Sequence, residues 1–193
     1  MARAKSTRAK KTSRSSATPR TADAIALLKA DHRQVETWFE QFASSRSDAK
    51  KQQLAQDICK ALKVHARIEE EIFYPAFLEA TADEDTHHEA EVEHDGAKKL
   101  IAAIEGAGAG DDYFDARVTV LSEMIKHHVN EEEKRDGMFA EARKSSMDLK
   151  ALGQQLAARK SELMEGADED ESSGKRRAAA RGWPSPRRSP LNA

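Results

Sequence analysis

Four stretches of this chain repeat apolar residues at steps of three and four, the helical period, and each stripe is interrupted on its inward side by histidine or glutamate. The first reads Ile25, Leu28, His32, Val35, Phe39, and the second Leu54, Ile58, Ala61, His65, Glu69, Ile72. The third reads Ala90, His94, Ala97, Ile101, Ile104, and the fourth Phe114, Val118, Leu121, Ile125, His128, Glu132. No β-pattern competes. Burying an unpaired carboxylate costs several kcal/mol, so a chain that places polar groups in the core of every helix needs a partner common to them. The pattern predicts an all-α fold, an up-down-up-down four-helix bundle joined by short connections.

Register brings the polar positions together. His32 lies roughly 12 residues before the first turn and His65 roughly 16 after it, and His94 and His128 flank the third turn in the same way. At about 1.5 Å of rise per residue these offsets differ by about one helical turn, so all four share one level. The spacing repeats, 33 residues from His32 to His65 and 34 from His94 to His128, and each lone histidine follows an acid, Asp31 or Glu93. Residues at i and i+4 share a helix face, so His65 with Glu69, and His128 with Glu132, can bind one metal or adjacent ones. HHVNEEE also offers His127 with Glu131. That register places Arg117 and Lys134 in the core, so His128 and Glu132 are preferred. His87 and His88 fall near the start of the third helix and are expected to be exposed.

Thr21 or Asp23 can cap the first helix, and Pro75 is expected to bend the second or loosen its last turn. The third helix is expected at about 85–105, after which EGAGAGDD breaks the pattern. An accessory helix is expected at 147–165, docked on the outside through Leu149, Leu152, Leu156 and Leu163. Residues 1–20 hold seven Lys/Arg and no acid, and 166–193 are acidic, then basic, then Pro- and Ser-rich. Both are expected to be disordered tails around a bundle spanning 21–146. The net charge of −2 therefore conceals a body near −11. An acidic body with basic arms is not a dedicated nucleic-acid fold, and contact with nucleic acid is expected only weakly, through the tails. The single cysteine, Cys59, fits a reducing compartment. No stretch reaches the apolar length of a membrane span, and the N-terminus lacks a secretory apolar block. The expected location is the cytoplasm.

Four imidazoles and two carboxylates are too many for one tetrahedral zinc, and too rich in nitrogen for calcium or magnesium. Mixed imidazole and carboxylate ligation suits iron better than manganese or zinc. Ferritin-like di-iron bundles use Glu-x-x-His. Here histidine comes first, at spacing four.

In order, His32, His65 with Glu69, His94, and His128 with Glu132 spell H…HxxxE…H…HxxxE. With EEEIFYPAF and AEVEHD around them, they make residues 21 to about 145 resemble the hemerythrin-like HHE cation-binding family. The resemblance implies a bundle holding two non-haem iron ions bridged by the two glutamates, with dioxygen or another small diatomic or peroxide ligand as partner. The chain departs from oxygen carriers of that family, which have an HxxxH on the third helix: Ala90 and Lys98 stand four residues either side of His94. The Phe-Pro usual soon after the last HxxxE is also missing. Without the fifth imidazole, two coordination positions of the iron pair are left for ligands, which opens peroxide and nitric oxide chemistry. Three readings follow: a di-iron protein that stores, buffers or senses a small ligand; a di-iron enzyme that turns over peroxide or nitric oxide or donates iron for repair; and a structural or regulatory bundle without metal. No nucleophile or general base outside the metal set is visible.

Overall fold

A computed structural model describes residues 22–180, with side chains as far as 167. The expected basic tail over 1–20 and the last residues, 181–193, lie outside the described part. Helix α1 (Ala24–Ser44) starts where the Asp23 carboxylate accepts the Ala26 N–H at 2.8 Å, the cap that satisfies one orphan donor of the first turn. Helix α2 (Asp48–Ile68) starts at Ser47 in the same way. It runs without interruption into a five-residue π-helical turn (Glu69–Phe73) and then α3 (Tyr74–Thr81). Helix α4 (Glu84–Glu105) is capped by Asp83. Helices α5 (Phe114–Glu133), α6 (Met138–Lys144) and α7 (Leu149–Ala180) follow.

α1 packs on α2 and α5, and α4 packs on α5 and α2, so the four long helices form a square. Its core is divided in two. One apolar cluster, with Val35, Phe39, Ile58, Leu62, Leu121 and Ile125, fills the end near the α1–α2 and α4–α5 connections. The other, with Leu28, Ile68, Phe73, Phe77, Met138 and Leu156, fills the opposite end. The polar positions lie between the two. Cys59 is free and buried in the first cluster.

Three details sharpen or correct the sequence expectation. The loosening expected at Pro75 falls just ahead of it, as the π turn, and the helix continues to Thr81. The extra residue in that turn carries Phe73, not Ile72, into the core, and Ile72 is left half-buried. α5 stops one residue after Glu132, and a tight turn with Gly137 leads into α6, which closes the bundle end. The accessory helix packs against α1, α2 and the π turn, as an outside layer, but continues to Ala180 instead of stopping at 165. Among the described residues no helix is long and apolar enough to cross a membrane.

Candidate metal centre

All six polar interruptions are buried: His32 on α1, His65 at the end of α2, Glu69 opening the π turn, His94 on α4, and His128 and Glu132 on α5. The alternative register faces outward, since the His127 side chain is 63% exposed and pairs with Glu93.

The four Nε2 atoms point into one layer. Those of His32 and His65 lie 3.0 Å apart, and those of His94 and His128 lie 3.3 Å apart. Glu69 joins the pairs, with Oε1 at 3.2 Å from His65 Nε2 and Oε2 at 3.5 Å from His94 Nε2. Glu132 Oε2 also faces both, at 3.4 Å from His32 Nε2 and 3.8 Å from His128 Nε2. Ligand atoms therefore gather in two overlapping groups. One is His32, His65, Glu69 and Glu132, and the other Glu69, His94 and His128, each spanning no more than 4.8 Å.

Three of the four imidazoles are hydrogen-bonded from behind by a carboxylate, and the fourth faces one. Nδ1–H donates to Glu133 at 2.8 Å from His32, to Glu70 at 2.9 Å from His94, and to Glu93 at 2.8 Å from His128. His65 Nδ1 stands 3.5 Å from Asp31 Oδ2, an ion-pair distance. A carboxylate on the far nitrogen fixes the ring and directs the Nε2 lone pair inward, the usual support of a metal-bound histidine. The supports follow a rule: the acid before each lone histidine serves the next long helix, and the acid after each inward glutamate serves the lone histidine of the other helix pair. Acid-His…His-x-x-x-Glu-Glu, read twice, is the signal in the sequence that marks them.

Tyr74 is the one contact with no simple sequence signal. In an unbroken α-helix it would stand about 140° around from Glu69. The π turn, in which Tyr74 N–H bonds to the Glu69 carbonyl, reduces that angle and swings the phenol into the layer. Its hydroxyl donates to Glu132 Oε1 at 3.3 Å, and lies 3.2 Å from His94 Nε2 and 3.5 Å from Glu69 Oε2. Single π turns of this kind often occur at functional sites. Phe139 of α6 stacks on His32, with ring centres 5.9 Å apart and 8° between planes.

Without a cation these groups are in conflict. Burial and then the Glu69 charge push Glu132 up. Glu69 is also raised by burial, but the adjoining His65 outweighs this and holds it well down. Burial, joined by the His65 charge, drives His32 down to about 4. For His65, burial pulls down but Glu69 and Asp31 prevail, lifting it to about 10. Glu69 Oε1 and Glu132 Oε2 are buried without a hydrogen-bond partner. Buried carboxylate oxygens without a partner, crowded among four imidazoles, are what a cation resolves. The donor set fits metal.

A cavity of about 420 Å³ adjoins the imidazoles on the side away from Tyr74. Val35, Leu62, Ala97, Ile101, Ile125 and Val129 make its wall.

A family model described as the hemerythrin HHE cation-binding domain matches residues 23–140. A hemerythrin HHE cation-binding domain-containing protein from Mycobacterium kansasii has a similar structure, with a TM-score of 0.64 and 23% identity, covering 76% of this chain and 90% of that one. A DNA nickase from Nostoc sp. is 28% identical over 141 residues, which is 72% of this chain and 39% of that protein. With the match covering more than half of its length, the chain belongs to the hemerythrin HHE cation-binding domain family and carries that family's metal-binding bundle.

Proposed function

We propose that the six buried residues hold two non-haem iron ions, and that the protein binds dioxygen or a related diatomic or peroxide ligand in the cytoplasm, for storage, buffering or sensing. One observation carries the reading: two carboxylates with unpartnered oxygens stand among four imidazoles, three with outer nitrogens hydrogen-bonded to carboxylates and the fourth, His65, 3.5 Å from Asp31. Imidazole mixed with carboxylate suits iron. Iron bound there supplies a redox-active pair with exchangeable positions. His32, His65, His94 and His128 would each offer Nε2, while Glu69 and Glu132, placed between the pairs, offset the mutual repulsion of two cations. The Tyr74 hydroxyl holds Glu132 in place and brings a proton to the centre. The apolar cavity favours a small neutral molecule and keeps bulk water off the reacting side.

The test is anaerobic loading with ferrous iron, metal analysis, and exposure to oxygen. About two irons per chain and an absorption band that reverses on removing oxygen are expected. One tightly held zinc, or no metal after loading, would sink the reading.

A second reading, turnover of peroxide, is favoured by Ala90 and Lys98. Ala90 is buried among apolar residues and Lys98 is paired with Glu70, so neither supplies a fifth nitrogen beside His94. Sustained peroxide consumption by the iron form, without a reversible band, would select it. The name of the Nostoc relative adds a nicking assay on supercoiled DNA. Cleavage that requires the loaded metal would favour that activity over both.

A further inference from the structure

We propose that cations reach the centre through an acidic passage between α4 and the end of α5, distinct from the apolar cavity that admits the small ligand. The inference rests on the reading that the six buried residues hold metal. The passage is a pocket of about 90 Å³ lined by Glu89, Glu93, Glu131, Glu132 and Asp136 around Lys134, with His128 at its inner end. A volume of that order holds a few waters, suited to a partly hydrated ion.

The inner end carries the observation that points to a cation. Glu132 is 2% exposed, lines this pocket, and leaves Oε2 unpartnered. Further out, four carboxylates meet one ammonium, that of Lys134, which is paired with Glu131 and lies in the field of Asp136 and Glu89. Lys134 thus occupies the place of an incoming cation on a tether and can swing away. The pocket also lies at the C-terminal end of α5, whose last carbonyls make the helix dipole favour positive charge. Gly137 brings the closing turn onto them: a Cβ there would stand 2.1 Å from the Glu131 carbonyl oxygen and 2.9 Å from that of Glu132.

The larger cavity has the opposite character. At its mouth Lys63, Arg67 and Lys98 balance Asp31, Glu70 and Glu71, and its wall is apolar. An ion crossing the apolar wall would give up water for little in return before it reached the imidazoles. A neutral diatomic or peroxide molecule would not. The two openings sort cargo by charge.

The test uses the full metal-free chain and cobalt(II) alone, with stopped-flow absorbance following uptake and metal analysis giving the endpoint. Glu89→Gln with Asp136→Asn should slow uptake roughly ten-fold at low ionic strength, an effect that salt removes, while the final stoichiometry stays that of the unaltered chain. Both residues are exposed, so the fold should tolerate the change. Lys134→Gln should speed uptake, and Lys63→Gln, at the cavity mouth, should leave the rate unchanged. Unaltered rates in the passage variants, or faster uptake in Lys63→Gln, would overturn the passage while leaving the metal centre standing. Absence of bound cobalt and iron at saturation in the unaltered chain would overturn both.

Discussion

His127 and His128 are chemically alike and adjacent, yet one faces solvent beside Glu93 and the other is buried within reach of Glu132. His128→Ala should therefore lose at least one bound metal per chain, and His127→Ala should retain the full complement, as metal analysis after gel filtration will read. Tyr74 makes a different case. Removing its hydroxyl leaves Glu132 Oε1 buried without its donor, which costs about 1–3 kcal/mol. Tyr74→Phe should lower the denaturant midpoint of the metal-free protein accordingly. The inward placement of the six polar residues was legible because each falls on an apolar stripe. The acids behind the histidines were legible only as a repeat, an acid beside each ligand, since Glu70, Glu93 and Glu133 lie at the rim of the bundle, where a repeat does not tell a supporting carboxylate from a solvated face. Only their cross-helix pairing gives them meaning. Tyr74 depends on a local change of helical pitch that periodicity does not show.

Among the elements, the long helices were readable from their stripes, whereas α6 is two turns long and offers too little repetition to establish a period. The tightest constraint on α7 comes from a glycine. At Gly153 a Cβ would meet the Ala22 carbonyl oxygen at 2.5 Å and the Ala24 nitrogen at 2.8 Å, so this helix lies directly on the backbone that begins α1. Gly153→Ala must push the two apart and uncover Leu156, which is fully buried. A loss of about 1–3 kcal/mol is expected, to be measured by thermal or chemical unfolding. The same substitution in the middle of an exposed helix would stabilise it slightly, so the sign of the change tests the packing.

On the scale of the whole molecule, a polar layer separates two apolar cores, and the supports of that layer run around the square from α1 to α2, α4, α5 and back. α7 reaches this ring from outside. Lys160 is paired with Asp31, the acid facing His65, and Arg159 with Glu71 of the π turn at 2.7 Å. Linkage makes such a connection reciprocal. Whatever fastens α7 to the bundle strengthens the hold on metal, and bound metal fastens α7 to the same degree. Amide hydrogen exchange over residues 149–165 should slow on metal loading, and Lys160→Gln should weaken both that protection and metal retention. Exchange in α7 that ignores the metal would show the helix to be mere cladding. If the protection is found, occupancy of the centre is broadcast as the grip of a helix that runs on to Ala180, where another molecule could read it without touching the metal.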